Sequence, residues 1–277
     1  MAAGTRFVRP RDSVWLSERP TPRRRSGQQP AGLDLEKILA ATVRLLDAEG
    51  LARFSMRRLA AELGVTAMSV YWYVDTKDDL LELALDCVMG EIALPGEGAA
   101  PAAGRAGARP AAPDAAGTSP GTGRADWRDR LRRLAREYRH TLVRHPWVSP
   151  LSGAYLNIGP KAMAFANAAQ RVMAESGLPR EKLPSALSLV YQFVYGFATI
   201  EGRFAARCRE AGVTQDEYFG EVMGSIADRP EFDEPRQILE ARGGATVEEM
   251  RERDFALALD FAIAGIEALR DGPEGAL

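Results

Sequence analysis

The sequence predicts an all-α fold: an N-terminal three-helix domain with a helix-turn-helix, then a C-terminal helical domain. Three observations carry that expectation. From Leu35 onward apolar residues recur at spacings of three and four, the period of an amphipathic helix. No strand-like alternation appears along the chain. Capping and stop residues punctuate the periodic runs, with Ser, Thr or Asp ahead of them and Gly or Pro behind.

Residues 1–32 carry Arg6, Arg9, Arg11, Arg19, Arg23, Arg24 and Arg25 against only Asp12 and Glu18, with four prolines and no helical period. They read as a basic flexible arm, with a docking place for Val14, Trp15 and Leu16 left open. A basic start on a chain of net charge -2 points to a polyanion partner at one end. Residues 33–93 form the first domain. Asp34 caps a helix bearing Ile38, Leu39, Val43, Leu45 and Leu46, and Gly50 stops it. Ser55 caps a second helix that ends at Gly64, a third spans about 66–73, and a fourth begins near Thr76.

Residues 94–124 are nearly all Ala, Gly and Pro, and read as a linker or insertion. The second domain, 125–272, opens with a helix capped by Asp126 and stopped by Pro146. Helices follow from Pro160 to Gly177, from Pro184 to Ala211 and from Thr214 to Asp228. The stretch 231–244 reads as loop with one helical turn. Thr246 and Glu249 make a capping-box pattern ahead of a last helix ending near Arg270, for nine or ten helices in all.

Residues 55–74 meet the demands of a helix-turn-helix. Ala60 is small enough for a close crossing, Gly64 tolerates positive φ in the turn, and Leu59, Leu63, Val65 and Val70 face inward. Three consecutive rings, Tyr71, Trp72 and Tyr73, cannot share one core, because helical neighbours point about 100° apart. At least one faces out, where it can lie along a sugar-phosphate backbone. Thr66, Ala67 and Ser69 stand at the leading end of the recognition helix and suit base edges. Arg57 is the candidate guanine contact and Lys77 the candidate phosphate clamp.

These residues, within "DLEKILAATVRLLDAEGLARFSMRRLAAELGVTAMSVYWYVDTKDDLLELALD", resemble the DNA-binding domain of the tetracycline-repressor (TetR) family. "VRHPWV", "VYGFATIEGRF" and "DFALALDFAIAGIEAL" resemble its regulatory domain. The resemblance implies a homodimeric regulator, most often a repressor, that leaves a palindromic DNA operator when a small-molecule effector binds. It implies base contacts from Arg57, Thr66, Ala67 and Ser69, and backbone contacts from Ser55, Tyr71, Trp72, Tyr73 and Lys77. The prototype's drug-binding histidines have no counterpart, which argues against a magnesium–tetracycline chelate; no metal or cofactor is expected.

Leu187, Val190 and Val194 on one long helix, with Phe255, Leu259, Ile263 and Ile266 on the last, form apolar stripes for a dimer interface or for the subunit's own core. Trp147, Asn157, Gln192 and Tyr195 are the candidate ligand contacts, in a composition that suits a pocket and a helical core alike. An enzyme is not expected. His140 and His145 lie on or at the end of a charged helix, and no phosphate-binding glycine loop follows a strand. The alternative is a helical interaction module without specific DNA binding. No membrane span or secretory leader is expected, which places the chain in the cytoplasm.

Overall fold

The computed structural model describes residues 13–16, 32–95 and 126–271. The expected linker except 94 and 95, and the expected arm except 13–16 and 32, lie outside the described residues. Among the described residues the structure is helical throughout, with eleven α-helices and no strand.

The first domain assembles as its caps dictate. Asp34 accepts from the Lys37 amide to start α1 (Leu35–Glu49), and Gly50 at φ 75° ends it. Ser55 caps α2 (Met56–Glu62) by accepting from the Arg58 amide. Gly64 at φ 66° makes the turn. Thr66 then caps α3 (Ala67–Val70), which gives way to turn by Tyr71 and is shorter than the expected 66–73. Thr76 and Asp79 close a capping box at the head of α4 (Lys77–Met89). Ile38, Leu59, Val70, Leu80 and Ala84 are fully buried between these helices.

The second domain contains α5 (Trp127–Arg144), α6 (Val148–Ser152), α7 (Pro160–Ala174), α8 (Leu183–Ala211), α9 (Gln215–Ser225), α10 (Asp233–Arg242) and α11 (Val247–Asp271). Two of these correct the sequence reading. The short α6 lies where a loop was expected. The α10 segment is a full helix, because Pro235 falls in its first turn, where a missing N–H removes no intrahelical bond.

α8 packs against α5, α7 and α11. It is also long and apolar enough to cross a membrane by length and composition, contrary to the sequence expectation. Only 22% of its most apolar window is buried within the subunit. A buried charge ties three helices together: Arg139 of α5 meets Glu201 of α8 at 2.8 Å and Glu252 of α11 at 2.6 Å. Its guanidinium lies 4.7 Å from the Phe255 ring centre. A charge this deep requires such pairing.

Two of the polar contacts that join the domains centre on Asp86 and His145. Asp86, buried on α4, accepts from the backbone amides of Lys161 (3.0 Å) and Ala162 (2.9 Å) at the head of α7. Gly159, at the N-cap of α7, has no side chain to do this, and a Cβ there would lie 2.3 Å from the Asp86 carboxylate. His145, just past α5, bonds Asp47 of α1 at 2.7 Å and Glu91 at 3.1 Å. Trp147 donates to the same Asp47 at 2.7 Å, and Arg144 pairs with the same Glu91 at 3.1 Å. A third contact reaches back to the N-terminus. Ser13 is buried and its hydroxyl donates to Glu82 of α4 at 2.7 Å.

Burial disfavours the His145 imidazolium, but the hydrogen bonds to Asp47 and Glu91 outweigh it and raise the pKa above its ordinary value of 6.5. The stabilisation is therefore complete below pH about 6.5 and is lost as pH rises through the raised folded-state value. Melting temperature should fall across that upward window, and His145→Gln should flatten the fall. An unchanged slope in the variant would remove His145 from the account.

Candidate DNA-reading head and effector cavity

Arg57 stands exposed on the second residue of α2, and Ser55 is exposed at its cap. On α3 the hydroxyls of Thr66 and Ser69 lie 3.0 Å apart, and Thr66 also accepts from the Ser69 amide at 3.3 Å. They are therefore partly engaged in capping while remaining at the helix's leading end. Ala67 is half-buried and packs against the core. Met68 is 68% exposed, so α3 offers a thioether surface between the two hydroxyl residues. Arg58 and Arg53, its cationic neighbours, are turned to Glu49: Arg58 pairs with its carboxylate at 2.7 Å and Arg53 donates to its carbonyl.

The three rings divide by position. Tyr71 is exposed and Trp72 half-buried. Tyr73 is half-buried, and its hydroxyl donates to the Leu33 carbonyl at 2.5 Å, anchoring the start of α1. Lys77 donates to the Phe54 carbonyl at 3.0 Å and lies over the Phe54 ring, pinning α4 to the loop before α2. The sequence reading assigned both residues to phosphate. The structure gives each a fold contact as well, made to residues too distant in sequence for local pattern to reveal.

Above the reading head, α4, α5, α7 and α8 border a cavity of about 360 Å³ that opens to solvent beside the exposed Gln170, Ser188 and Tyr191. Leu131, Leu134 and Tyr138 line it from α5, Phe165, Ala166 and Ala169 from α7, Leu187 and Tyr191 from α8, and Met89 from α4. No charged side chain among the described residues lines it. Asn157, in the loop before α7, completes the wall.

The family model for the tetracyclin repressor-like C-terminal domain matches residues 119–270, and that of the bacterial regulatory proteins of the tetR family matches residues 38–84. The chain belongs to the TetR family. An HTH-type transcriptional regulator of Saccharopolyspora erythraea is 34% identical over 189 residues, 68% of this chain and 67% of that one. The HTH-type transcriptional repressor DrrR1 of Streptomyces coeruleorubidus is 28% identical over 254 residues, 92% of this chain and 82% of the relative. Among solved structures, ActR of Streptomyces coelicolor in complex with actinorhodin superposes with a TM-score of 0.61 at 24% identity, covering 87% of this chain and all of that one.

This TetR family member departs from the sequence expectation in the placing of its candidate ligand contacts. Of the four candidate ligand contacts, Asn157 lines the cavity. Trp147 is buried at the domain seam, Gln192 is exposed and donates to Ser188, and the Tyr195 hydroxyl donates to the Ser149 carbonyl at 2.7 Å. The missed contacts had a signal: Ala162, Ala166 and Ala169 place small residues at helical spacing along α7, which leaves room beside Tyr138 and Phe165.

Of the two readings left open for the seven candidate interface residues, the subunit's own core holds six. Val190, Val194, Phe255, Leu259, Ile263 and Ile266 are buried in the subunit's own core, and half-buried Leu187 lines the cavity. The strongest apolar stripe on a helix marks its inward face. The opposite faces carry Leu189, Ile200, Leu257 and Phe261, which are 51%, 73%, 56% and 68% exposed.

Tyr73→Phe should leave α3 in place and lower stability by about 0.5–1.5 kcal/mol, the worth of one hydrogen bond. Urea unfolding of the variant checks this; no change would make the Leu33 contact incidental.

Proposed function

We propose that this chain is a ligand-responsive repressor that binds a palindromic operator as a homodimer in the cytoplasm and leaves it when a small, largely apolar molecule fills the cavity. One observation carries the reading. The cavity wall α7 is fastened by its first turn to Asp86 of α4, and α4 is also part of the reading head's core. A molecule that displaces α7 therefore pulls on α4 and changes the spacing of two heads. The relative DrrR1 is named a repressor, and the ActR structure of similar fold holds actinorhodin, which agrees with this reading.

In the complex, Arg57, Thr66, Ala67, Met68 and Ser69 face base edges. Ser55, Tyr71, Trp72 and Lys77 meet the backbone, and Tyr73 supports them from behind. The dimer forms through the outer faces of α8 and α11. Those faces leave Ile200 and Phe261 in water, and Gly196 and Gly265 meet nothing within 4 Å where a Cβ would stand. An apolar face of this kind, rimmed by polar residues, marks an association surface. Exposed Arg57 on a capped, well-packed helix-turn-helix favours DNA reading over an interaction module that has lost it.

Binding to the chain's own promoter fragment should weaken steeply with salt. Arg57→Ala should cost about 1–3 kcal/mol and relax preference at one base position. Lys77→Ala should weaken all sequences alike and lower the salt slope by about 1. Salt-independent, sequence-blind binding of the unmodified protein would replace this reading with the interaction module. Phe261→Glu should convert the dimer to monomer in sedimentation at micromolar concentration, and a dimer indifferent to it would place the interface elsewhere.

A further inference from the structure

The cavity walls specify more than apolar character. The Tyr138 and Phe165 rings lie 5.0 Å apart, and Tyr191 stacks on Tyr138 at 5.5 Å with 21° between planes. Three aromatic rings in mutual contact thus border the space. Burial pushes the Tyr138 phenol far above its ordinary pKa, so it stays neutral. With no charged lining residue among those described, a charged guest would enter without a counter-ion.

Ser152, Gln170 and Ser188 also line the space, and Asn157 adds the one buried acceptor among the described lining residues that is left without a partner. Asn157 holds a left-handed backbone, φ 50°, and its Nδ2 donates to the carbonyls of Ser152 (2.9 Å) and Tyr155 (3.4 Å). Turning the amide over would set its oxygen against those two carbonyl oxygens, so the orientation is fixed by chemistry. Oδ1 is consequently left buried with no hydrogen-bond partner. A buried acceptor in that state is destabilising until a donor arrives.

We propose that the cavity takes a neutral, planar aromatic molecule of roughly two or three fused rings, whose hydroxyl or N–H donates to Asn157 Oδ1. This rests on the reading of the cavity as the effector site. Organic cations and carboxylates are rejected by the walls, and a ring system without a donor leaves Oδ1 unsatisfied.

The test is calorimetric titration of the full chain at neutral pH with β-naphthol, naphthalene, β-naphthoate and the β-naphthylmethylammonium cation. β-Naphthol should bind about 2–10-fold tighter than naphthalene, the worth of one neutral hydrogen bond. Both ions should bind at least about tenfold more weakly than β-naphthol. Asn157→Gly keeps the left-handed backbone available and removes the acceptor. It should erase the naphthol preference and leave naphthalene affinity within about twofold, since one hydrogen bond accounts for the difference. Equal binding of naphthol and naphthalene, a preference that survives Asn157→Gly, naphthalene binding lost in that variant, or naphthoate binding as tightly as naphthol would each overturn the assignment. Ala166→Trp, which fills the cavity, separates the two levels. If naphthalene binding disappears there while the hydroxyl preference is absent from the unmodified protein, only the ligand chemistry fails. If naphthalene binds the filled variant unchanged, or no ring compound binds the unmodified protein, both the ligand chemistry and the effector site fail.

Discussion

A buried carboxylate in the last turn of α4 holds this molecule's two halves in one mechanical unit. Asp86 meets the free amides at the head of α7, where the helix dipole is positive, and so does the work of an N-cap from a different helix. Because α4 packs into the core of the reading head and also contributes Met89 to the cavity, the same helix contacts both functional regions. An exposed ion pair at this place would be screened and would hold little. Here the carboxylate is buried, and its bonds to backbone amides fix distance as well as charge.

Several other buried polar groups are similarly paired. Arg139 crosses from α5 to α8 and α11, and His145 and Trp147 share Asp47 of α1. These contacts hold the helices in fixed register while leaving the cavity between α5, α7 and α8 unfilled. The result is a second domain whose firm parts are charged and whose yielding part is apolar. A guest entering the apolar space meets side chains that can shift rotamers before it meets a network that resists movement.

The reading head was legible because each of its devices is local. Ser55, Thr66 and Thr76 sit next to the helices they cap, Gly64 makes its own turn, and Ala60 is small where two helices cross. The second roles of Tyr73 and Lys77 were not legible, since their partners lie 40 and 23 residues away. The outward face of α8 and α11 was hidden by the stronger inward stripe. Periodicity locates the face with most apolar residues and says nothing of which copy covers the other. Asp86 left a trace that could have been followed: with Asp79 and Glu82 it puts acidic groups on the buried side of "DLLELALDCVM", where an unpartnered carboxylate would not be tolerated.

Gly159 gives the joint an unusual genetic signature. The position does not line the hollow between the helices and carries no functional group, yet any added methyl would have to push the Asp86 carboxylate aside. Selection for mutants that still occupy their operator but ignore inducer would accordingly gather bulky replacements at this one residue, among hits that otherwise map to the walls around the guest.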